Sequence, residues 1–497
     1  MTTSKKGGGA KKTAASKRRA AAGAAKKAPA APPPWAAALE EITSRADSVW
    51  THGDGHAPAV MKARKQALKN ARGRVAIVDG CRTPFVKAGT YFAQMDVIDL
   101  ASVPAAALIE RLELDPREID QSIFGVVVPA LHAPNLGREV VLRTGLPRSI
   151  PGLTVNLACA SSNRAITHAA ETILAGQAEV VLAGGAESLS TVPITYSRNA
   201  SQRLVDASRA KTPAAKLAAL AKLRPRDLVP VPPAIAEYST GQTMGESCEK
   251  MAKENGISRR AQDEIALLSH QRAAAATAEG RFAEQIVPTF PIPGFGDAIS
   301  RDTGIRAETS LEALAQLKPV FDKSFGTLTA GNSSPLTDGA SAVLLMSEKK
   351  AKALGYEPLG YLRAYAYAAL DPATQLLQGP AYAAPLALDR AGLSLADVDL
   401  VEMHEAFAAQ ILSNLKAFAS KKFARQELGR TKPLGEVDFE RFNVAGGSIA
   451  IGHPFGATGA RVTMQALNEL KRRDLQLALI TVCAAGGNGV AMVVERE

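Results

Sequence analysis

The chain has 497 residues, 46% of them hydrophobic, so it is long enough to form two or three packed units around a large core. Its formal net charge of +11 is unevenly placed: residues 1–34 carry nine Lys and Arg and no acid, which leaves 50 basic against 48 acidic residues afterwards. This nearly neutral body argues against a protein built to bind nucleic acid. The sequence also lacks the uninterrupted apolar stretch of about 18 residues that predicts a transmembrane helix.

The basic N-terminal segment lacks the apolar core of a secretory signal. It shares an acid-free, basic character with organellar transit peptides, but its charge is mostly Lys and it contains a Gly run, which matches the Arg-rich type poorly. We interpret residues 1–71 as a disordered basic Ala/Lys/Pro-rich tail and linker. We expect a cytoplasmic protein, with the mitochondrial matrix as the alternative if this segment is a transit peptide.

From residue 74 onwards, apolar runs alternate with Ala-rich helical stretches, which predicts a layered α/β fold. The first strand is predicted at residues 74–80 (RVAIVDG). Residues 178–185 (AEVVLAGG) and 477–487 (LALITVCAAGG) are predicted buried strands of the same design. Each follows an Ala-rich helix, one over about 160–175 and capped by Gly176, the other after the GHPFGATGAR segment. Each is also followed by a further predicted strand, at 338–348 and 487–497, so the chain consists of two related halves.

The stretch between the halves is rich in Pro and charge clusters and has short helical patterns. We therefore predict an N-terminal half formed by 72–190 plus 323–348, an inserted loop domain at 191–322, and a C-terminal half at 349–497.

Four cysteines (Cys81, Cys159, Cys248 and Cys483) are too far apart in sequence for any C-x-x-C pair. This spacing argues against a zinc site or a disulfide framework and for a reducing compartment. Cys159 lies in TVNLACASSNRAI, where a strand gives way to a helix, so we expect its sulfur at a helix N-terminus with a lowered pKa. The alternative is a buried structural cysteine.

Three further motifs carry chemistry. In NVAGGSIAIGHPFGATGAR, residues 443–461, glycines let the backbone fold tightly around His453; the spacing is not that of a dinucleotide-binding loop. CAAGGNG places Cys483 at a strand end beside a Gly-rich backbone that a ligand can approach. MHEAFAAQ places His404 and Glu405 at a strand-to-helix junction.

These four motifs, on a duplicated α/β chain, resemble those of the thiolase family across about residues 72–497. RTPF (82–85), GGAES (184–188) and AGNSSPLTDGASA (330–342) support the match. His404, where many thiolases carry Asn, and RPRDLVPVPPAIAEYSTGQTMGE in the insertion resemble one branch, the β-subunits of fatty-acid oxidation complexes. That branch contains 3-ketoacyl-CoA thiolases of the trifunctional-enzyme type.

The resemblance implies an α/β fold of duplicated βαβαβαββ halves in a five-layered α-β-α-β-α body with an inserted loop domain. It implies an acyltransferase of fatty-acid β-oxidation that acts on acyl-CoA and CoA. It also implies a homodimer core and assembly with an enoyl-CoA hydratase/3-hydroxyacyl-CoA dehydrogenase subunit. CoA is then a substrate, and no cofactor or metal is expected.

The resemblance also implies residue roles. Cys159 would be the nucleophile, His453 its base, and Cys483 the acid and base at the acetyl carbon. His404 and His453 would stabilise the thioester oxyanion of the acetyl unit. The amides of Cys159 and of the segment after Cys483 would stabilise the tetrahedral intermediate. Residue 485 is Ala where many family members carry Gly, so we expect the oxyanion hole formed by these amides to remain but with a slightly narrower approach. Two substrate contacts are expected, Met244 to the acyl or pantetheine channel and Ser334 to pantetheine.

Alternatives remain on sequence grounds: a biosynthetic acetoacetyl-CoA thiolase or a related Cys-dependent condensing enzyme, since one fold hosts several reactions. A decarboxylating enzyme has less need of a second reactive thiol such as Cys483. Another alternative is a nucleic-acid binder acting through the basic tail. Residues 207–226 hold six basic and no acidic residues with helix signals, which fits either a solvated helix packing its leucines inward or contact with an anionic membrane or partner subunit.

Overall fold

The computed structural model describes residues 73–231 and 236–497. The predicted tail and linker at 1–71 therefore lie outside the described residues. Ten strands form the sheet structure of the described part: β1 Val75–Arg82, β2 Val86–Lys87, β3 Gln121–Gly125, β4 Gly152–Val155, β5 Val180–Glu187, β6 Thr337–Ser347, β7 Gly360–Ala369, β8 Leu400–Met403, β9 Leu477–Ala484 and β10 Asn488–Glu495.

Helices surround these strands. In chain order the described α-helices are α1 Val97–Arg111, α2 Leu136–Arg143, α3 Ser161–Leu174, α4 Arg198–Arg209, α5 Pro213–Leu220, α6 Met244–Glu254, α7 Arg259–Ala278, α8 Leu311–Ala315, α9 Glu348–Ala353, α10 Gly379–Ala391, α11 Ala408–Ala419, α12 Lys421–Gln426, α13 Ser448–Ile451 and α14 Thr458–Arg473. The second repeat helix, α14, begins inside the GHPFGATGAR segment rather than after it, so the motif itself supplies the first helical turn. Among the described helices, none is long and apolar enough to cross a membrane.

The strand order displays the duplication that the sequence predicted. The order is β4-β3-β5-β6-β1 in the first half and β7-β10-β9-β8 in the second. In the first half β4, β3 and β5 are parallel and β6 pairs antiparallel with β5. In the second half β8 and β9 are parallel and β10 pairs antiparallel with β9. The halves meet where β1 pairs with β7 over three residues, Val75 to Ile77.

Side-chain alternation along the strands divides the body into five layers. On β5, Val180 and Leu182 face an outer layer with α1 and α2, while Val181 faces a central layer with α3 and α14. On β9, Ile480 faces the same central layer, and Cys483 faces the second outer layer with α10 and α11. The order is therefore α-β-α-β-α, as the resemblance implied.

The region between the halves packs against the body, and two of its buried contacts are described here. Helices α6 and α7 pack their buried faces into the outer layer of the second half. Asp302 forms a buried, two-pronged ion pair with Arg82 at the end of β1, with N–O distances of 2.6 and 2.8 Å. The exact division of the chain into domains stays a prediction.

Helix α5 forms as its sequence signals predict, with Thr212 accepting a hydrogen bond from the Ala215 amide and Pro213 at the first position. Its leucines are not packed inward, however: Leu217 is 69% exposed and Leu220 39%. The interpretation of this segment as a helix that packs Leu217, Leu220 and Leu223 onto the insertion is therefore wrong for the first two, while Leu223, beyond the end of α5, is partly buried.

Candidate active site

The turn between β4 and α3 presents Cys159, which is partly exposed and lies one residue before the helix cap Ala160. Ala158 adopts a left-handed φ of +45°, a conformation that non-glycine residues adopt at an energetic cost. Two side chains hold this turn: Asn156 Oδ1 accepts from the Ala158 amide at 3.0 Å, and Ser161 Oγ accepts from the Leu157 amide at 2.9 Å. The sharp turn fixes the position of the sulfur.

The expectation of a lowered Cys159 pKa is wrong. Burial raises the pKa of the thiol to about 12, against hydrogen bonds to the sulfur from the Ala485 amide and from its own amide, which lower it. Loss of hydration therefore outweighs these two hydrogen bonds. At neutral pH Cys159 is therefore a thiol and needs a base before it can attack.

Two imidazoles lie beside this thiol. The ring centroids of His404 and His453 are 4.0 Å apart, and one ring nitrogen of each lies with the Cys159 sulfur in a group whose atoms are all within 4.8 Å of one another. His404 Nδ1 bonds to Ser448 Oγ at 2.8 Å and His453 Nδ1 to Thr458 Oγ1 at 2.6 Å. Both Nε2 atoms are buried with no protein partner among the described residues. We therefore assign Nε2 of each ring as the nitrogen that serves the site.

Hydrogen bonding assigns the proton of His453. The Thr458 hydroxyl donates to the Pro454 carbonyl at 3.0 Å, so its oxygen accepts from His453 Nδ1. That leaves a lone pair on Nε2, the form that a base requires. Burial, and then the Arg461 charge, lower the pKa of His453 to about 3. Burial, then the His453 ring and then the Arg461 charge, lower the pKa of His404 well below its usual value, so both rings are neutral at neutral pH.

The backbone around His453 depends on glycines at two positions. Gly452 has a φ of +112°, which side chains rarely adopt, and a Cβ on it would also lie 2.7 Å from Thr337 Cγ2. Gly456 packs against the end of β5, where a Cβ on Gly185 would lie 2.0 Å from the Gly456 carbonyl oxygen. The glycines thus bring the His453 loop of one half onto the strand ends of the other.

The loop after β9 completes the site. The amides of Ala485 and Cys159 both reach the Cys159 sulfur, so they can also reach an oxyanion on a carbon bonded to it. Cys483 is fully buried, and burial raises its pKa well above the usual value, with further contributions from Cys159 and Cys248. A buried, protonated thiol beside the nucleophile can donate a proton without first being charged.

The same three atoms, from Cys159, His404 and His453, form a group that could in principle hold a metal ion. The surroundings oppose this use, because the fully buried Arg461 guanidinium lies close enough to lower the pKa of both imidazoles and would repel a dication equally.

Comparison with known proteins agrees with this geometry. Family models described as "Thiolase, N-terminal domain" and "Thiolase, C-terminal domain" match residues 75–349 and 356–496. The chain belongs to the thiolase family. As a thiolase it is an acyltransferase enzyme, and the prediction of family and fold is confirmed.

Two 3-ketoacyl-CoA thiolases resemble this thiolase over nearly their whole length. It is 51% identical over 434 residues to a 3-ketoacyl-CoA thiolase of Pseudoalteromonas translucida, covering 87% of this chain and 99% of the relative. It is 52% identical over 424 residues to one of Yersinia enterocolitica, covering 85% and 97%.

Solved structures are also similar. The Bacillus anthracis acetyl-CoA acetyltransferase superposes with a TM-score of 0.73 at 34% identity, covering 86% of this chain and 100% of that one. The human mitochondrial 3-ketoacyl-CoA thiolase in complex with CoA superposes with a TM-score of 0.72 at 32% identity, covering 86% and 98%.

The two residues predicted to contact substrate, Ser334 and Met244, also lie near the site. The Ser334 amide donates to the Ala406 carbonyl at 2.9 Å, next to the His404 loop, and Leu336 forms a bridge with His453. Met244 begins α6 and packs, partly buried, against the core cluster that contains Cys483. Their contacts with pantetheine and with the acyl channel stay predictions.

Three residues were missed from sequence. Buried Glu187 accepts from the amides of Val127, Val128 and Gly456 at 2.8–3.1 Å, and burial raises its pKa to about 7. It ties the ends of the first-half strands to the His453 loop, and its place in GGAES was the available signal.

The other two, Glu237 and Cys248, lie on the Cys483 side of the site. Glu237, in the inserted region, accepts from the Gly486 amide at 2.8 Å and so holds the loop after Cys483; no sequence pattern indicates this bond. Cys248, four residues after Met244 on α6, lies in the same buried core cluster as Cys483 and contributes to raising the pKa of that thiol; helical spacing from Met244 could have indicated it.

Proposed function

We propose that this chain is a 3-ketoacyl-CoA thiolase, an acetyl-CoA C-acyltransferase of fatty-acid β-oxidation. It cleaves 3-ketoacyl-CoA with CoA to give acetyl-CoA and an acyl-CoA two carbons shorter. The observation that carries the proposal is the group formed by the Cys159 sulfur and one nitrogen each of His404 and His453, all within 4.8 Å. The named relatives support the same activity over nearly their whole length.

In the first half-reaction, Cys159 gives its proton to His453 Nε2 and the sulfur attacks the 3-keto carbon. The amides of Cys159 and Ala485 stabilise the resulting oxyanion. The C2–C3 bond then breaks, leaving an acyl group on Cys159 and the enolate of acetyl-CoA. The enolate oxygen is stabilised by His404 and by the now-protonated His453, and Cys483 delivers its proton to C2, so acetyl-CoA leaves.

In the second half-reaction, the Cys483 thiolate takes the thiol proton of incoming CoA. The CoA thiolate attacks the acyl carbon, and the same two amides stabilise the second tetrahedral intermediate. Its collapse releases the shortened acyl-CoA and the Cys159 thiolate, which recovers its proton from His453. Every proton returns to its starting group, so this chemistry needs no cofactor or metal besides CoA as substrate.

The assembly of the chain is part of the proposal. We propose a homodimer core, a cytoplasmic location with the mitochondrial matrix as the alternative, and association with an enoyl-CoA hydratase/3-hydroxyacyl-CoA dehydrogenase subunit. These follow from the branch resemblance of the HEAF and insertion motifs. Met244 and Ser334 are proposed to line the acyl and pantetheine path.

An anionic membrane is the proposed partner of the segment 207–226. Its six basic side chains accompany Leu217 and Leu220, both exposed on α5, and this combination suits the interface of an anionic bilayer. In water the exposed leucine side chains contribute no hydrophobic stabilisation. At an anionic bilayer the leucines would be buried among the lipid chains and the basic side chains would contact the charged headgroups.

The function is tested by incubating the purified chain with CoA and a ladder of 3-ketoacyl-CoA chain lengths. The proposal expects equimolar acetyl-CoA and shortened acyl-CoA from chains longer than four carbons. Cleavage of acetoacetyl-CoA alone would favour the biosynthetic thiolase, and no CoA-dependent cleavage at any length would contradict the proposal.

A further inference from the structure

Ser448, the first residue of α13, lies between two side chains that matter to the site. Its Oγ accepts a hydrogen bond from Arg461 Nη2 at 2.7 Å and bonds to His404 Nδ1 at 2.8 Å. All three residues are fully buried. The hydroxyl thus links a buried cation to one of the two imidazoles beside Cys159.

Counting protons fixes the direction of this link. A guanidinium has no acceptor, so Arg461 Nη2 must donate and the Ser448 oxygen must accept. The serine proton then needs an acceptor of its own, and among the described residues His404 Nδ1 is the one within hydrogen-bond distance. Nδ1 therefore carries no proton, and the neutral His404 ring holds its proton on Nε2.

Arg461 is itself held in place. Its Nη1 donates to Gln465 Oε1 at 3.3 Å, and Gln465 Nε2 donates to the buried Glu402 carboxyl at 3.1 Å and to the Gly446 carbonyl at 2.9 Å. Glu402 and Glu405 lie close enough to favour the charged guanidinium. The cation is therefore a fixed donor to Ser448 and does not compete for His404 itself.

We propose that Ser448, held by Arg461, is a positioning residue that fixes His404 as an Nε2–H donor to the enolate oxygen of acetyl-CoA. Thr458 gives His453 the opposite proton arrangement, so the two adjacent rings have separate roles. One ring takes the Cys159 proton, and the other donates a hydrogen bond to the substrate. The identity of the enolate rests on the proposed function; the proton position on His404 does not.

The proposal predicts a specific pattern of kinetic loss. Ser448→Ala should lower kcat for thiolysis by roughly 10- to 100-fold, the range seen when a partner that orients a functional imidazole is removed. It should also slow solvent exchange of the acetyl-CoA methyl protons, which passes through the enolate. Acylation of Cys159 by a simple acyl-CoA, which uses the backbone amides, should be much less affected.

A double-variant cycle separates positioning from structural damage. Asn at position 404 presents a fixed amide donor whose proton does not depend on Ser448, so Ser448→Ala should cost little further in the His404→Asn background. Additive losses in the double variant would overturn the proposal. Ser122→Ala is the matched control, since Ser122 is buried on β3 and its hydroxyl has no partner among the described residues; its kcat should not change.

Nitrogen-15 spectra of histidine-labelled protein test the proton directly, with the His404 signals identified by their loss in His404→Asn. The proposal expects a protonated Nε2 and an unprotonated Nδ1 on His404 in the unsubstituted protein. A proton on Nδ1 would overturn it, even if Ser448→Ala fails to fold. Absence of thiolysis in the parent protein would contradict the proposed function while leaving this spectral test valid.

Discussion

His404 and His453 face each other at a centroid distance of 4.0 Å, yet their Nδ1 atoms bond to hydroxyls with different proton demands. Ser448 must give its proton to His404, whereas Thr458 gives its proton to a carbonyl and accepts from His453. Two chemically identical rings thereby present a donor and an acceptor to one substrate. This asymmetry lets the site remove a proton at one place and stabilise negative charge at another.

The division of labour between the thiols predicts the behaviour of Cys483→Ala. This variant should still form an acyl adduct on Cys159 from a simple acyl-CoA, but lose cleavage of 3-ketoacyl-CoA, since the missing group delivers the proton to the acetyl carbon. Adduct formation by mass spectrometry and turnover by acetyl-CoA release measure the two. Cys81→Ala is the control, because Cys81 is also buried but bonds to the Pro104 carbonyl in a different core cluster. Equal loss of both reactions in Cys483→Ala would refute this division.

The raised pKa of Cys159 predicts how its alkylation depends on pH. With a pKa of about 12, the thiolate fraction at neutral pH is small and rises about tenfold per pH unit. The rate of iodoacetamide modification of Cys159, followed by peptide mass spectrometry, should therefore rise steadily from pH 6 to 9 without a plateau. A constant rate over that range would mean a resting thiolate–imidazolium pair.

The buried ion pair between Arg82 and Asp302 predicts a large stability effect. Asp302→Ala leaves the guanidinium buried without its charge partner and removes an acceptor from the Phe85 amide, so unfolding free energy should fall by about 3–5 kcal/mol. Denaturant unfolding followed by circular dichroism measures it. The variant Asp206→Ala is a control, since Asp206 is half-exposed and pairs with Arg203 at 3.5 Å. Equal, small changes in both variants would show that the pair contributes little.

Charge reversal on the segment 207–226 tests the membrane proposal. Changing Lys211, Lys216 and Lys222 to Glu should reduce co-sedimentation with vesicles containing anionic phospholipid at low salt, while thiolysis of short substrates is retained. Arg224 is left unchanged because it pairs with Asp227.

A matched reversal at Lys318, Lys323 and Lys432, which are exposed elsewhere, controls for net charge. If both triple variants sediment like the parent protein, the contact with membranes is refuted and the helix is merely solvated.

Much of the site was predictable because its residues sit in short motifs at strand ends. Cys159 lies more than two hundred residues before His404 and His453 in the sequence. The duplicated α/β pattern nevertheless brings the corresponding strand ends of the two halves to one edge, where the three side chains meet. The two sequence repeats therefore indicated that the loops carrying these residues meet. The layer order followed from the same alternation of apolar residues along β5 and β9.

The remainder depended on packing between distant segments. The helix terminus at Cys159 argued for a lowered pKa, but burial against the loop of the other half reversed the direction. The bond from Glu237 to the Gly486 amide joins the inserted region to the Cys483 loop, and local sequence carries no sign of it. The direction of the Ser448 hydroxyl likewise emerges only when Arg461, thirteen residues later, is seen beside it.

The most direct measurement of the central claim is mass spectrometry of the protein after rapid mixing with a 3-ketoacyl-CoA in the absence of CoA. We expect one equivalent of released acetyl-CoA and an acyl adduct that maps to Cys159. In Cys159→Ser both should be absent, because a serine hydroxyl is a far weaker nucleophile than a thiolate. Turnover without an adduct, or an adduct on another residue, would contradict Cys159 as the covalent nucleophile.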